Sequence, residues 1–246
     1  MRTAKLLGSL IAALAVSGCL QDARHQSTTF VDQYAISDPT PASFSECHGF
    51  GCAEVSRVSL SPKAWQRVGA VFRPAAKDAR TERRQVSQAV SLMHKLVGEQ
   101  TGTAVHQWTH EDMNILPNKG DPTQLDCIDE AVNTWTYMTM MEKSGFLRFH
   151  HVAKLSNAGS LVDPRNTAVL QEKGGEYFAV DAALVDFDVP PPVIPLTAWM
   201  ETWPPDLSVS QGAKPPRGKG GAPSPAKTKT VALTTTPPPA AAGANR

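Results

Sequence analysis

Apolar residues recur at Ile128, Ala131, Val132, Trp135, Met138 and Met141, the spacing of one helix face. The stretch Asp121–Leu147 is therefore predicted to centre on a helix. Thr123 and Asp126 fit the S/T-x-x-acid form of a capping box at its start. Gly145 ends it, and Lys143 supplies a cation to its last turn. Two helices are predicted before it. Ser61-Pro62 opens the first, which runs through Trp65, Val68, Val71 and Phe72 and stops at Arg73-Pro74. The second covers about 78–97, with Val86, Ala89, Val90, Met93, Leu96 and Val97 on one face and Gly98 closing it. Beyond residue 145 the pattern turns extended. Strands are predicted at Phe146–Leu155, Asn166–Glu172 and Tyr177–Leu184, the last carrying Asp181. Ser156–Pro164 reads as a loop and Lys173-Gly174-Gly175-Glu176 as a hairpin turn. Prolines in Val189–Pro195 point to an extended segment on the surface, and Leu196–Trp203 to a short terminal helix whose tryptophans pack back. The order predicts an α+β domain: N-terminal helices, then a cysteine-bearing helix packed on a small antiparallel sheet.

The chain ends carry other signals. Residues 1–18 combine Arg2 and Lys5, an apolar run Leu6–Val16 and small residues before Cys19, the layout of a secretory signal. The run is too short to span a bilayer. Val16-Ser17-Gly18-Cys19 resembles a bacterial lipobox. That resemblance implies cleavage before Cys19, its lipidation and a membrane anchor. Leu20 brings no acidic retention residue, so the expected place is the cell envelope, at the outer membrane facing the periplasm. Residues 19–44 read as a tether, 45–203 as one domain, and 204–246 as a basic tail too poor in large apolar residues to order itself. The whole chain has a formal net charge of +1. Without signal and tail the remainder is mildly acidic, which argues against nucleic acid as a partner.

Export changes how the four cysteines are read. Cys47 and Cys52 flank His48-Gly49-Phe50-Gly51. In an oxidising compartment they are expected to form a disulfide; a metal loop is the alternative, with only His48 at hand and no second ligand pair at zinc spacing. A redox role for the pair is weaker, because redox motifs space their cysteines by two residues. Cys127 stays outside this pair, in the first turn of the central helix, where the N–H groups and the dipole favour thiolate. It is either a nucleophile or a small core residue. Asp126, Asp129 and Glu130 beside it oppose the thiolate, or only cap the helix. Arg80, Arg83 and Arg84 read as a solvated face. His106 and His110 are spaced for one helix face, but the polar stretch 101–120 lacks a metalloprotease pattern; its aromatic and titratable residues, Trp108, Glu111 and Asp112 among them, would instead line a cleft beside Cys127.

Three motifs in this order resemble the transglutaminase-like superfamily of cysteine proteases and acyltransferases. They are Asp126-Cys127-Ile128-Asp129-Glu130-Ala131, Asn166-Thr167-Ala168-Val169-Leu170 and Tyr177-Phe178-Ala179-Val180-Asp181. The resemblance covers about 121–184 and implies a transglutaminase/papain-like core. It implies Cys127 as the nucleophile, a histidine on the second strand as its base and Asp181 as the acid that orients the histidine. The window Arg165-Asn166-Thr167, where that histidine belongs, holds none. His150 and His151 on the preceding strand are nearest, and His151 is assigned the role. The implied reaction is cleavage or transfer of an amide acyl group of a protein or peptidoglycan peptide, with no cofactor and no metal. The rival is an inactive envelope binding or scaffold lipoprotein that uses the same cleft for a peptide.

Overall fold

The computed structural model describes residues 38–105, 121–160, 163–186 and 188–201. They form the α+β arrangement that the hydrophobic pattern predicts. A hairpin of β1 (Phe44–His48) and β2 (Glu54–Val58) comes first. Helices α1 (Pro62–Val71) and α2 (Ala79–Thr101) follow, then a 3-10 turn at Thr103–Val105. Helix α3 (Cys127–Lys143) leads into β3 (His150–Val152), β4 (Ser156–Ser160), β5 (Asp163–Glu172) and β6 (Tyr177–Val180). A second 3-10 turn (Ala182–Leu184), β7 (Val193–Pro195) and α4 (Leu196–Glu201) close the described chain. The main sheet runs β3-β5-β6-β7 with β4 also on β5, and every pair is antiparallel. Among the described residues no helix is long and apolar enough to cross a membrane.

The helices follow their caps. Ser61 accepts from the Ala64 N–H, with Pro62 next to it. Asp78 accepts from the Thr81 N–H at 2.7 Å. The start of α3 differs from expectation by one motif. Asp126, not Thr123, is the N-cap, and Asp129 returns a side-chain bond to the Asp126 N–H. Thr123 instead folds onto Asp121, whose carboxylate accepts from its N–H at 2.9 Å. At the far end the Phe146 N–H reaches the Met141 carbonyl at 3.0 Å across Gly145 at φ 72°, a Schellman closure. Gly98 does not end α2. The helix runs on to Thr101 and Gly102 caps it. Gly98 is needed for contact, because a Cβ there would lie 2.9 Å from the Ala104 nitrogen.

The strands depart further. The first was expected over Phe146–Leu155, yet β3 is three residues long. The reason is Glu82 on α2. Its carboxylate accepts from the backbone N–H groups of Arg148, Phe149 and His150 at 2.7–3.1 Å, so that backbone is held by a side chain before the ladder begins. Ser156–Ser160 is a strand rather than a loop, paired from Ser156↔Thr167 to Ser160↔Asp163. The proline segment does not stay on the surface either. Val193–Pro195 joins β6 with Val180↔Val193, while Pro190 and Pro191 stay out of the ladder and the Ser87 hydroxyl donates to the Pro191 carbonyl at 2.6 Å. The tether expectation fails at its end, since Phe44 opens β1 and is fully buried.

Alternation along β5 and β6 splits the sheet into two faces. Ala168, Leu170, Phe178, Val180 and Val193 pack with α2 and α3 into the main core. Val169, Ala179 and Ile194 face the other way and pack with Leu196 and Trp199. Trp199 thus packs back as expected; Trp203 lies outside the described residues. Asn166 and Asp181 flank this division, beside the N-terminus of α3.

Candidate functional site

Cys127 is the first residue of α3 and carries a thiol. The side-chain amide of Asn166 on β5 lies 3.5 Å from its sulfur, and the Asn166 backbone N–H also hydrogen-bonds to it. The thiolate expectation does not hold. Burial, then the nearby Asp126 and more weakly Asp181, push the thiol up to about 11, against the pull of the two Asn166 bonds. Position at a helix start is outweighed by desolvation and by the nearby carboxylates.

Asp181 lies just past β6, where it caps the second 3-10 turn through the Ala183 N–H at 3.2 Å. Its other oxygen accepts from the Trp199 indole N–H at 2.7 Å. Burial raises its carboxyl to about 6, while these donors and Arg165 pull it back. Arg165 itself lies over the Trp199 ring, 5.4 Å from its centroid. Asp181 is thus engaged by an indole and a backbone amide.

His151 does not serve Cys127. Its Nδ1 pairs with Glu142 at 2.8 Å and its side chain is 58 % exposed. Glu142 lies about 22 Å along α3 from Cys127, at 1.5 Å per residue. A strand shortened to three residues places His151 at the wrong end of the helix. His150 is buried and donates from Nδ1 to Glu82 at 2.9 Å, while Arg83 donates to its Nε2 at 3.2 Å. The bonds from His150 and from the N–H groups of 148 and 149 overcome the burial that would raise Glu82, and hold its carboxyl below the usual range. Arg83 is no solvated residue. It pairs with Glu172 at 2.8 Å and lies 3.9 Å above the Phe178 ring. His48 donates to the Pro122 carbonyl and accepts from Ser56. Thus three of the four described histidines, His48, His150 and His151, have partners away from Cys127. His106, His110, Trp108, Glu111 and Asp112 lie outside the described residues, as does Cys19.

No protein-family model matches this chain, and no match to it was found among characterised proteins or solved structures. Its chemistry is therefore read from its own residues.

The largest feature missed from the sequence is a polar seam along α3. Asp129, Asn133 and Tyr137 follow at i, i+4 and i+8 on one face, and all three are buried. Asp129 accepts from the N–H groups of Cys52 at 2.6 Å, Phe50 at 3.1 Å and Asp126 at 3.0 Å. Asn133 makes two 2.8 Å bonds with the Cys47 backbone, accepting from its N–H and donating to its carbonyl. The Tyr137 hydroxyl donates to Glu46 at 2.6 Å. The seam ties the first hairpin to α3. The disulfide Cys47–Cys52 is formed, as expected. Burial raises Glu46 to about 8, with Asp129 adding and Tyr137 opposing. Burial and Asp126 raise Asp129 to about 8 as well. Glu130 is pushed well above the carboxylate range by burial and by Glu46, Asp129, Asp181 and Asp126. Beside it, His94 is held neutral by burial, down to about 4, with Nε2 3.3 Å from Glu130. The sequence signal was the polar series Asp129, Asn133 and Tyr137 at i, i+4 and i+8 along the helix.

Proposed function

We propose that this protein is an exported, lipid-anchored envelope component whose α+β domain binds a peptide at the Cys127 end of α3 and does not turn it over. One observation carries the reading. Among the described residues, the side chain hydrogen-bonded to the Cys127 sulfur is the Asn166 amide, which neither takes nor gives a proton at neutral pH. A thiol pushed up to about 11 is a poor nucleophile beside it. With its side-chain amide and backbone N–H on Cys127, Asn166 ties the start of α3 to β5 and serves no reacting group.

A second reading, acyl transfer through Cys127, is favoured by a different observation: a helix-start cysteine, Asn166 on β5 and Asp181 after β6 come together at one end of the domain. One measurement separates them. The rate of Cys127 alkylation is followed against pH in the full-length chain, with Cys127→Ser as the blank. A rate that rises only near pH 11 supports the binding reading. An apparent pKa well below the ordinary thiol value of about 8.5 overturns it in favour of acyl transfer.

A further inference from the structure

The Cys47–Cys52 pair does more than close a loop. The two sulfurs and a carboxylate oxygen of Asp129 lie within 4.8 Å of one another, and all three residues are buried. Four successive residues, Gly49, Phe50, Gly51 and Cys52, have φ between 54° and 78°, so the C-x4-C loop curls back over α3. Two of them are not glycine, a costly arrangement for L residues. The curl is held by Asp129, which gathers the Phe50 and Cys52 N–H groups. Asp129 is also fixed by the Asp126 N–H of its own helix, so its placement does not depend on the sulfur–sulfur bond.

The geometry points to a redox-gated zinc site: in the dithiol protein, Cys47, Cys52 and Asp129 bind one Zn(II), with water in the fourth position. Two sulfurs and one carboxylate oxygen are a borderline-soft donor set, suited to zinc and not to calcium or magnesium. Tetrahedral zinc needs sulfurs about 3.8 Å apart, given Zn–S near 2.3 Å, and opening the bond lets them part to that distance. The chemistry balances. A dithiol or phosphine reductant gives two electrons, and with two protons the disulfide becomes two thiols. Zinc then displaces both thiol protons, and the proton of Asp129 where that carboxyl holds one. A disulfide oxidant takes two electrons from the two zinc-bound thiolates and is itself reduced to thiols; the Cys47–Cys52 bond forms, Zn(II) leaves and the site is abolished. This goes beyond the binding role proposed above and holds whatever Cys127 does.

The test uses the full-length chain, reduced with a phosphine under anaerobic conditions and titrated with Co(II) as the spectroscopic stand-in for zinc, then with Zn(II) in competition. The expected result is one equivalent of Co(II) with sulfur-to-cobalt absorption, displaced by Zn(II) and absent from the oxidised protein. Cys47→Ser should remove the band and Cys127→Ser should keep it. Asp129→Asn should weaken binding about tenfold or more. Circular dichroism of the reduced wild type checks that it is folded. No sulfur-to-cobalt band in reduced wild type overturns the proposal, whether or not the fold survives. So does a band that persists in Cys47→Ser, or binding unchanged in Asp129→Asn.

Discussion

Asn166 shows how much one side chain decides. Had position 166 carried an imidazole, the Cys127 sulfur would face a base; it faces an amide at 3.5 Å. Tyr137 has the same weight for stability. Its hydroxyl is the hydrogen-bond partner of the buried Glu46 carboxyl among the described side chains. Tyr137→Phe keeps the ring and removes that bond. It should cost about 1–3 kcal/mol, the range for a buried polar group left unmet, as read by urea unfolding. The same substitution should raise the Glu46 pKa further, because the hydroxyl bond is what holds it down. A carboxyl infrared band followed against pH would read this.

Helices were legible because a 3.6-residue period survives in the sequence and caps are local. The α1 bounds follow from Ser61-Pro62, and the α3 stop from Gly145. The strands were less so, for reasons that lie far along the chain. Glu82 shortens β3 from 68 residues away, and β4 is polar because it pairs at the sheet's edge. Gly98 was read as a stop when its lack of a Cβ serves the 3-10 turn that follows. Gly98→Ala should therefore destabilise by about 1–3 kcal/mol through overpacking, although alanine is the better helix former by about 1 kcal/mol. A thermal melt gives the sign, and an unchanged or raised midpoint would refute the contact argument. Glu82→Ala strips three backbone N–H groups and His150 of their acceptor at once. A loss of about 3 kcal/mol or more is expected, with exchange protection lost first at residues 148–150 in hydrogen-exchange measurements.

For the molecule as a whole, the buried carboxyls set the response to pH. Glu46 binds its proton up to about pH 8 when folded, against about 4.3 for an ordinary glutamate. The folded state therefore holds more protons than the unfolded one between these values, and stability falls as pH rises through that window. Asp129 acts in the same direction. His94, down to about 4, acts oppositely, but only between about 4 and its ordinary 6.5. From pH 6.5 to 8 the carboxyls act without it. The oxidised protein should lose up to about 1.4 kcal/mol per pH unit for each such group there, facing Tyr137, Asp129, Glu130 and His94 as they do. Glu46→Gln should flatten part of that slope, and unfolding titrations at pH 6.5 and 8 measure it. None of this was legible in the sequence, where Asp129 and Glu130 read as charges opposing a Cys127 thiolate or as helix caps. Burial is a property of the assembled chain, and the hairpin that buries them comes from 77 to 91 residues away.

That separation also orders events in time. Chains emerge N-terminus first, so Cys47 and Cys52 appear long before Asn133 and Tyr137 exist to grip their hairpin. Closing so long a loop is slow compared with local helix growth. For that interval the two thiols meet their surroundings unshielded, and whichever partner reaches them first, oxidant or ion, decides the form in which the hairpin docks.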